Sequence, residues 1–168
     1  MKKALFIILL SPVLSFAQKS KAYFNISAEA LNLSNHDVSF GGSFAIGGKG
    51  KYVDAGVGIM LTQFKGANDP YIPAFLDISI HSNRRIARPF IDLQGGWGFY
   101  RDQVAGAFYE KGGLFLRPGG GIWLPLKKSA VFLRAFYAHS AFQLVDGQGR
   151  EYSSSSESGW SASIGVSL

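Results

Sequence analysis

From Phe24 to Leu168 the chain alternates apolar with small or polar residues, segment after segment. The last segment is the clearest. Trp160, Ala162, Ile164, Val166 and Leu168 are apolar, and Ser161, Ser163, Gly165 and Ser167 stand between them. A period of two marks a strand whose two faces meet different surroundings. The same alternation gives the apolar sets Val131, Leu133, Ala135, Tyr137 and Leu114, Leu116, Gly120, Ile122, Leu124. It returns in Ile91, Leu93, Gly95, Trp97, Phe99 and in Ile72, Ala74, Leu76, Ile78, Ile80. Val53, Ala55, Val57, Ile59, Leu61 and Val38, Phe40, Gly42, Phe44, Ile46 precede these, and Phe24, Ile26, Ala28, Ala30 come first. The pattern predicts eight strands and no helix in this region. Their lengths are near the ~9–11 residues that a tilted strand needs to cross a hydrocarbon layer. Pro118 falls on the apolar face of its strand, where its missing N–H predicts a bulge or distortion.

The charges decide which face is which. Glu29, Asp54, Asp77, Asp92, Arg117 and Arg134 all lie on the face that carries Gly and Ser, and the opposite face of these strands carries no charge. An uncharged face rich in Leu, Ile and Val predicts lipid outside, and the small, polar face predicts a narrow lumen. A soluble barrel would reverse the two. Tyr52, Phe64, Tyr71, Phe99, Tyr100, Tyr137 and Trp160 stand near strand ends and are expected in interfacial girdles. Residues 47–50, 82–88 and 126–129 are expected as short turns, residues 64–69, 101–111 and 142–159 as longer loops, and residues 34–37 as a tight link. Short turns at one end and longer loops at the other are the outer-membrane arrangement.

The N-terminus reads as an export signal. Lys2 and Lys3 precede an apolar stretch from Ala4 to Phe16, and Ser15 and Ala17 are small residues placed for cleavage before Gln18. The stretch is too short to span a bilayer as a helix. The expected organisation is a signal peptide at residues 1–17 and one β-barrel at residues 18–168. Composition agrees with an exported β-protein. Charged residues are 17%, below the usual share of about 25%, while Gly reaches 21 of 168 residues. There is no Cys, which excludes disulfides, thiolate metal sites, a cysteine nucleophile and a lipoprotein anchor.

The net charge of +6 does not point to nucleic acid. The short turns hold Lys49, Lys51, Arg84, Arg85, Arg88, Lys127 and Lys128 with no acid. The opposite end holds Lys65, Arg101, Lys111 and Arg150 against Asp37, Asp69, Asp102, Glu110, Asp146, Glu151 and Glu157. Basic turns suit anionic headgroups or simple turn solubility.

These features resemble the small outer-membrane β-barrels of the OmpA/OmpX type, the porin-family barrel domains. The resemblance spans Lys21 to Leu168 and includes the stretches Pro89-Phe90-Ile91-Asp92-Leu93-Gln94-Gly95-Gly96-Trp97-Gly98-Phe99 and Leu116-Arg117-Pro118-Gly119-Gly120-Gly121-Ile122. It implies an eight-stranded antiparallel up-and-down transmembrane barrel in the outer membrane. It implies no single activity, because the group includes structural proteins, adhesins, narrow pores and a few enzymes. The chain ends in Leu168, where many such barrels end in Phe or Trp.

Candidate chemistry is sparse. The glycine stretches around Gly96 and Gly120 precede no helix and no Lys-Ser/Thr pair, so they form no phosphate loop. His36, His81 and His139 lie on separate strands or loops and make no metal set. Lipid A deacylases use His, Ser and Glu at the outer rim, and His139, Ser140, Glu151 and Glu157 fall in that region. Adjacent residues such as His139 and Ser140 point to opposite faces of a strand, which denies a triad its contact. No catalytic residue, metal or cofactor is expected. The lumen charges form the candidate site. Asp54, Asp77 and Asp92 sit on neighbouring strands near the short-turn end and need cations or protons close by. Arg134 is expected within ion-pair distance of one of them, with Glu29 and Arg117 nearer mid-height.

The expected role is structural or interaction-based, in a monomer with a mostly filled lumen. Its expected partners are outer-membrane lipids and an extracellular ligand or protein at the outer loops. A narrow pore for ions or small solutes and a lipid A-modifying hydrolase are the alternatives. The mature chain should fractionate with the outer membrane and migrate differently on gels with and without heating. Recovery as a soluble periplasmic protein would defeat the barrel reading.

Overall fold

The computed structural model describes residues 21–168 except 35, 36, 66, 68, 83–85, 106, 107, 147 and 150, with backbone only for the described part of 101–110. The expected signal peptide, His36, Arg84, Arg85, Arg150 and the side chains of Arg101, Asp102 and Glu110 lie outside the described residues.

The strands are β1 (Lys21–Leu33), β2 (Ser39–Lys49), β3 (Val53–Gln63), β4 (Ile72–His81), β5 (Arg88–Phe99), β6 (Arg101–Ala105), β7 (Phe108–Pro125), β8 (Ala130–Val145) and β9 (Glu151–Ser167). Sequence neighbours pair antiparallel except β5 and β6, and two further ladders complete the ring. β1 pairs with β9, and β5 pairs with β7. β6 continues the line of β5 beyond Tyr100, where the Gly112 N–H donates to the Tyr100 carbonyl at 3.1 Å. β5 and β6 are therefore two parts of one stave, and the sheet closes as an eight-staved up-and-down barrel. In the barrel wall closure leaves no free edge, so the backbone polar groups there are satisfied within the sheet.

The faces follow the alternation. Ile26, Ile59, Leu61, Ile78, Leu93, Leu133 and Ile164 are exposed on the outer wall. Their neighbours in sequence, among them Ser27, Met60, Asp77, Asp92, Arg134 and Ser163, are buried inside. Big and small residues alternate within the lumen. The ring of Tyr23 lies against Gly47 and Gly56, Tyr71 against Gly98, Phe75 against Gly58, and Phe132 against Gly165. A Cβ at any of these glycines would enter the ring, so the inward glycines are the counterparts of the inward aromatics.

Three expectations need correction. Phe64, Tyr71 and Tyr100 are not girdle residues. They are 1%, 0% and 7% exposed and point into the barrel. Their parity is that of inward Thr62, Phe75 and Gly98, and parity overrides nearness to a strand end. Tyr52, Phe99, Tyr137 and Trp160 are exposed, and Tyr137 meets Trp160 edge-on at 5.6 Å across the β8–β9 ladder.

The expected loops at residues 101–111 and 142–159 are largely β-ribbon. β6 pairs with β7, and β8 pairs with β9 up to Val145↔Glu151. The serine run Ser153–Ser156 has no alternation to read, but it gains its pairing from β8. The ribbon closes at Asp146, whose side chain accepts from the Gln148 N–H at 2.9 Å and whose carbonyl accepts from the Gly149 N–H at 2.9 Å. Gly149 has φ of 81°, a left-handed position that favours glycine.

Pro118 makes no bulge. It faces outward, pairs with Leu93, and leaves the β7–β8 register unchanged on either side. The register shift in that ladder falls between Gly112 and Phe115, where the barrel wall passes into the ribbon.

Ile78→Arg and Val57→Arg place a cation on the outer wall at mid-strand. Each should destabilise the barrel by roughly 2–4 kcal/mol in lipid vesicles. Ser163→Arg should also destabilise, through crowding inside, and this loss should persist in detergent. Harmless arginines at Ile78 and Val57 would mean that the faces are reversed.

Candidate functional site

The inward residues form three levels along the barrel axis. At mid-height, Arg117 and Glu29 are buried at 0% and 4% exposure. The Arg117 guanidinium donates through Nη2 to Glu29 Oε2 at 2.7 Å and to Ser161 Oγ at 2.6 Å. Glu29 Oε1 accepts from Ser43 at 2.7 Å and from Ser27 at 3.0 Å. Nη1 of Arg117 meets the Met60 sulfur at 3.1 Å, and the guanidinium lies over the Phe136 ring at 4.2 Å. The pair is thus bonded on both sides, as a buried ion pair must be to offset its desolvation.

Nearer the short turns, the three carboxylates take different partners. Asp54 Oδ1 accepts from the Gly50 N–H at 2.9 Å and lies 3.3 Å from His81 Nε2. His81 Nδ1 lies 3.3 Å from the Ser82 carbonyl. Both ring nitrogens therefore lie beside oxygen atoms. Asp77 accepts from Gln94 at 2.9 Å and from the Tyr23 hydroxyl at 3.3 Å. Asp92 Oδ2 lies 3.3 Å from Arg134 Nη1, close enough for ion pairing but without hydrogen-bond alignment. The Arg134 guanidinium sits over Phe132 at 4.2 Å. Arg134 Nε and Nη2 and both Asp92 oxygens have no hydrogen-bond partner among the described residues. The two arginine layers thus differ. In the first, both terminal nitrogens of Arg117 have partners and only Nε has none among the described residues, whereas the second is held by charge and stacking.

Toward the ribbon end, the lumen carries an aromatic cluster. Phe64 stacks on Tyr71 at 5.4 Å and meets Tyr100 edge-on at 5.6 Å, while Phe142 lies 5.8 Å from both tyrosines. Leu31, Leu33 and Phe115 complete it, all at most 1% exposed. Tyr71 donates its hydroxyl hydrogen bond to Ser140 Oγ at 2.9 Å.

Sequence reasoning found the charges but not what surrounds them. Tyr23, His81 and Gln94 are partners that it left out, and three of the clustered aromatics, Phe64, Tyr71 and Tyr100, were expected in the girdles. Parity marks all of them as inward; the missing information was cross-strand register. His139 and Ser140 do diverge. Ser140 is buried against Tyr71, and His139 is on the outer wall with Nδ1 2.9 Å from Ser158 Oγ.

No known family profile matches the chain, and no curated protein matches it in sequence. Solved structures do match in fold. Neisserial surface protein A (NspA) superposes with a TM-score of 0.62 at 11% identity, over 88% of this chain and 96% of that one. The outer-membrane protein OprG from Pseudomonas aeruginosa superposes with a TM-score of 0.52 at 12% identity, over 88% and 95%. The chain has the fold of these small outer-membrane β-barrels.

Arg117→Met removes one partner of the wired pair and should cost ~3–5 kcal/mol in denaturant refolding experiments, because Glu29 is left buried and uncompensated. Glu29→Gln combined with Arg117→Met should recover much of that loss. Arg134→Met, which releases a less aligned pair, should cost less than Arg117→Met. Equal losses for the two arginine variants would contradict the distinction between the layers.

Proposed function

We propose that the chain is an integral outer-membrane barrel whose lumen is closed by its own side chains, and that it acts as a structural or interaction element through its outer ribbons. The observation that carries this reading is the succession of two filled levels across one narrow lumen. The Glu29–Arg117 layer lies at mid-height and the Phe64–Tyr71–Tyr100–Phe142 cluster lies beyond it. An eight-stranded barrel has an interior just wide enough for its side chains. The exposed Leu, Ile and Val of the outer wall suit outer-membrane lipid, with Tyr137 and Trp160 at one interface. The ribbons of β6–β7 and β8–β9 are the longest elements at the end away from the short turns, and they offer a contact surface to an extracellular ligand or protein. The protein works as a monomer in this reading.

A hydrolytic role lacks support from the geometry, since His139 and Ser140 occupy opposite sides of the wall. Lipid A from cells with and without the protein should have the same mass profile.

In planar bilayers the purified barrel should show no steady conductance, and Tyr71→Ala combined with Phe142→Ala should begin to open it. Steady ion conductance by the parent protein would replace the closed-lumen reading with that of a narrow pore.

A further inference from the structure

The short-turn mouth of the barrel holds a feature that a lumen-filling role does not use. The inward alternation of three strands ends in a cation there: Lys21 on β1, Lys49 on β2 and Arg88 on β5. The turn after β7 adds Lys127 and Lys128. All five line one concave cup of about 370 Å³ on the barrel axis. One carboxylate, Asp54, also lines it, and that carboxylate is held by the Gly50 N–H and His81. The cup is therefore strongly cationic, and its walls of closed sheet focus that charge at the mouth.

A second, independent feature points the same way. Trp123 and Ser167 also line the cup and are 6% and 2% exposed. The Trp123 indole N–H and the Ser167 hydroxyl have no hydrogen-bond partner among the described residues. A buried donor without an acceptor is costly, and a cation cluster beside it adds no acceptor. An acceptor-rich group seated among the cations can accept from both. We propose that this cup is an oxyanion site that takes a phosphate group. Lysine and arginine supply the charge, and Trp123 and Ser167 supply neutral donors deeper in. The phosphate comes either from a soluble phosphate or phosphate ester or from a phospholipid headgroup reaching over the turns.

The two sources can be separated by nuclear magnetic resonance on the refolded full barrel. In the first arm the protein is in a phosphate-free zwitterionic detergent, and inorganic phosphate is added at constant ionic strength against chloride. The Trp123 indole resonance and the Gly50 and Ser167 amides should shift and saturate. Trp97 and Trp160, exposed on the outer wall, should not. Lys49→Gln with Arg88→Gln should raise the half-saturation concentration by about tenfold or more. Lys127→Gln with Lys128→Gln, in a turn outside the strands, should weaken binding without burdening folding. In the second arm the barrel sits in phosphatidylglycerol or phosphatidylcholine nanodiscs without added phosphate. Shifts of the same resonances in phosphatidylglycerol alone would identify the lipid headgroup, and shifts confined to the first arm would identify a soluble phosphate. Either result supports the site. Unmoved Trp123 and Ser167 resonances in both arms would overturn it, as would phosphate shifts that chloride reproduces or that both double variants leave unchanged.

Discussion

Closure of the sheet at eight staves is the constraint from which the other features follow. It removes the free edges of the barrel wall, which lets those strands face a medium without water. It also fixes an interior about as wide as two facing side chains. Every second residue of every strand must then fit that interior with a complementary neighbour. The pairing of Tyr23 with Gly47 and Gly56, of Tyr71 with Gly98 and of Phe132 with Gly165 is the packing answer. The pairing of Glu29 with Arg117 is the electrostatic one.

The interior is graded along the axis. Cations line the short-turn mouth, followed by three separately partnered carboxylates, then the wired Glu29–Arg117 layer and finally the aromatic cluster. Most polar atoms without partners among the described residues lie in the lower part, at Asn25, Asp92, Gln94, Trp123, Arg134, Ser163 and Ser167, while Arg117 Nε at mid-height and Thr62 Oγ1 above it also have none. Such groups are ordinarily satisfied by bound water or by a ligand. The lower lumen is thus the polar and adaptable part of the barrel. The upper lumen is filled mainly by buried aromatic and aliphatic side chains.

The outer wall carries no comparable detail. Its apolar residues differ in size but share one property, the absence of charge along the strands below the ribbons, and that is what a hydrocarbon medium demands. At 11% and 12% identity, NspA and OprG share the barrel with this chain. A fold specified by alternation and closure tolerates extensive change in side-chain identity.

Strand number, the lipid and lumen faces, and the segregation of six charges to one side were all legible in the residues. Each depends on a period of two, which is local. Pro118 shows the limit of local reasoning. Its missing N–H predicted a bulge, yet the register holds across it, because pairing to β5 on the other side keeps the stave in line. Phe64, Tyr71 and Tyr100 show another limit: nearness to a strand end suggested membrane girdles, but their parity and mutual contact put them inside. The partner of each charge was beyond reach. That Asp54 meets His81, Asp92 meets Arg134 and Glu29 meets Arg117 depends on the stagger between staves and on which strands close the ring. The sequence by itself determined which side chains enter the lumen, because alternation is a property of one strand. Only the tertiary structure decided which of them meet, because register and closure are properties of all the strands together.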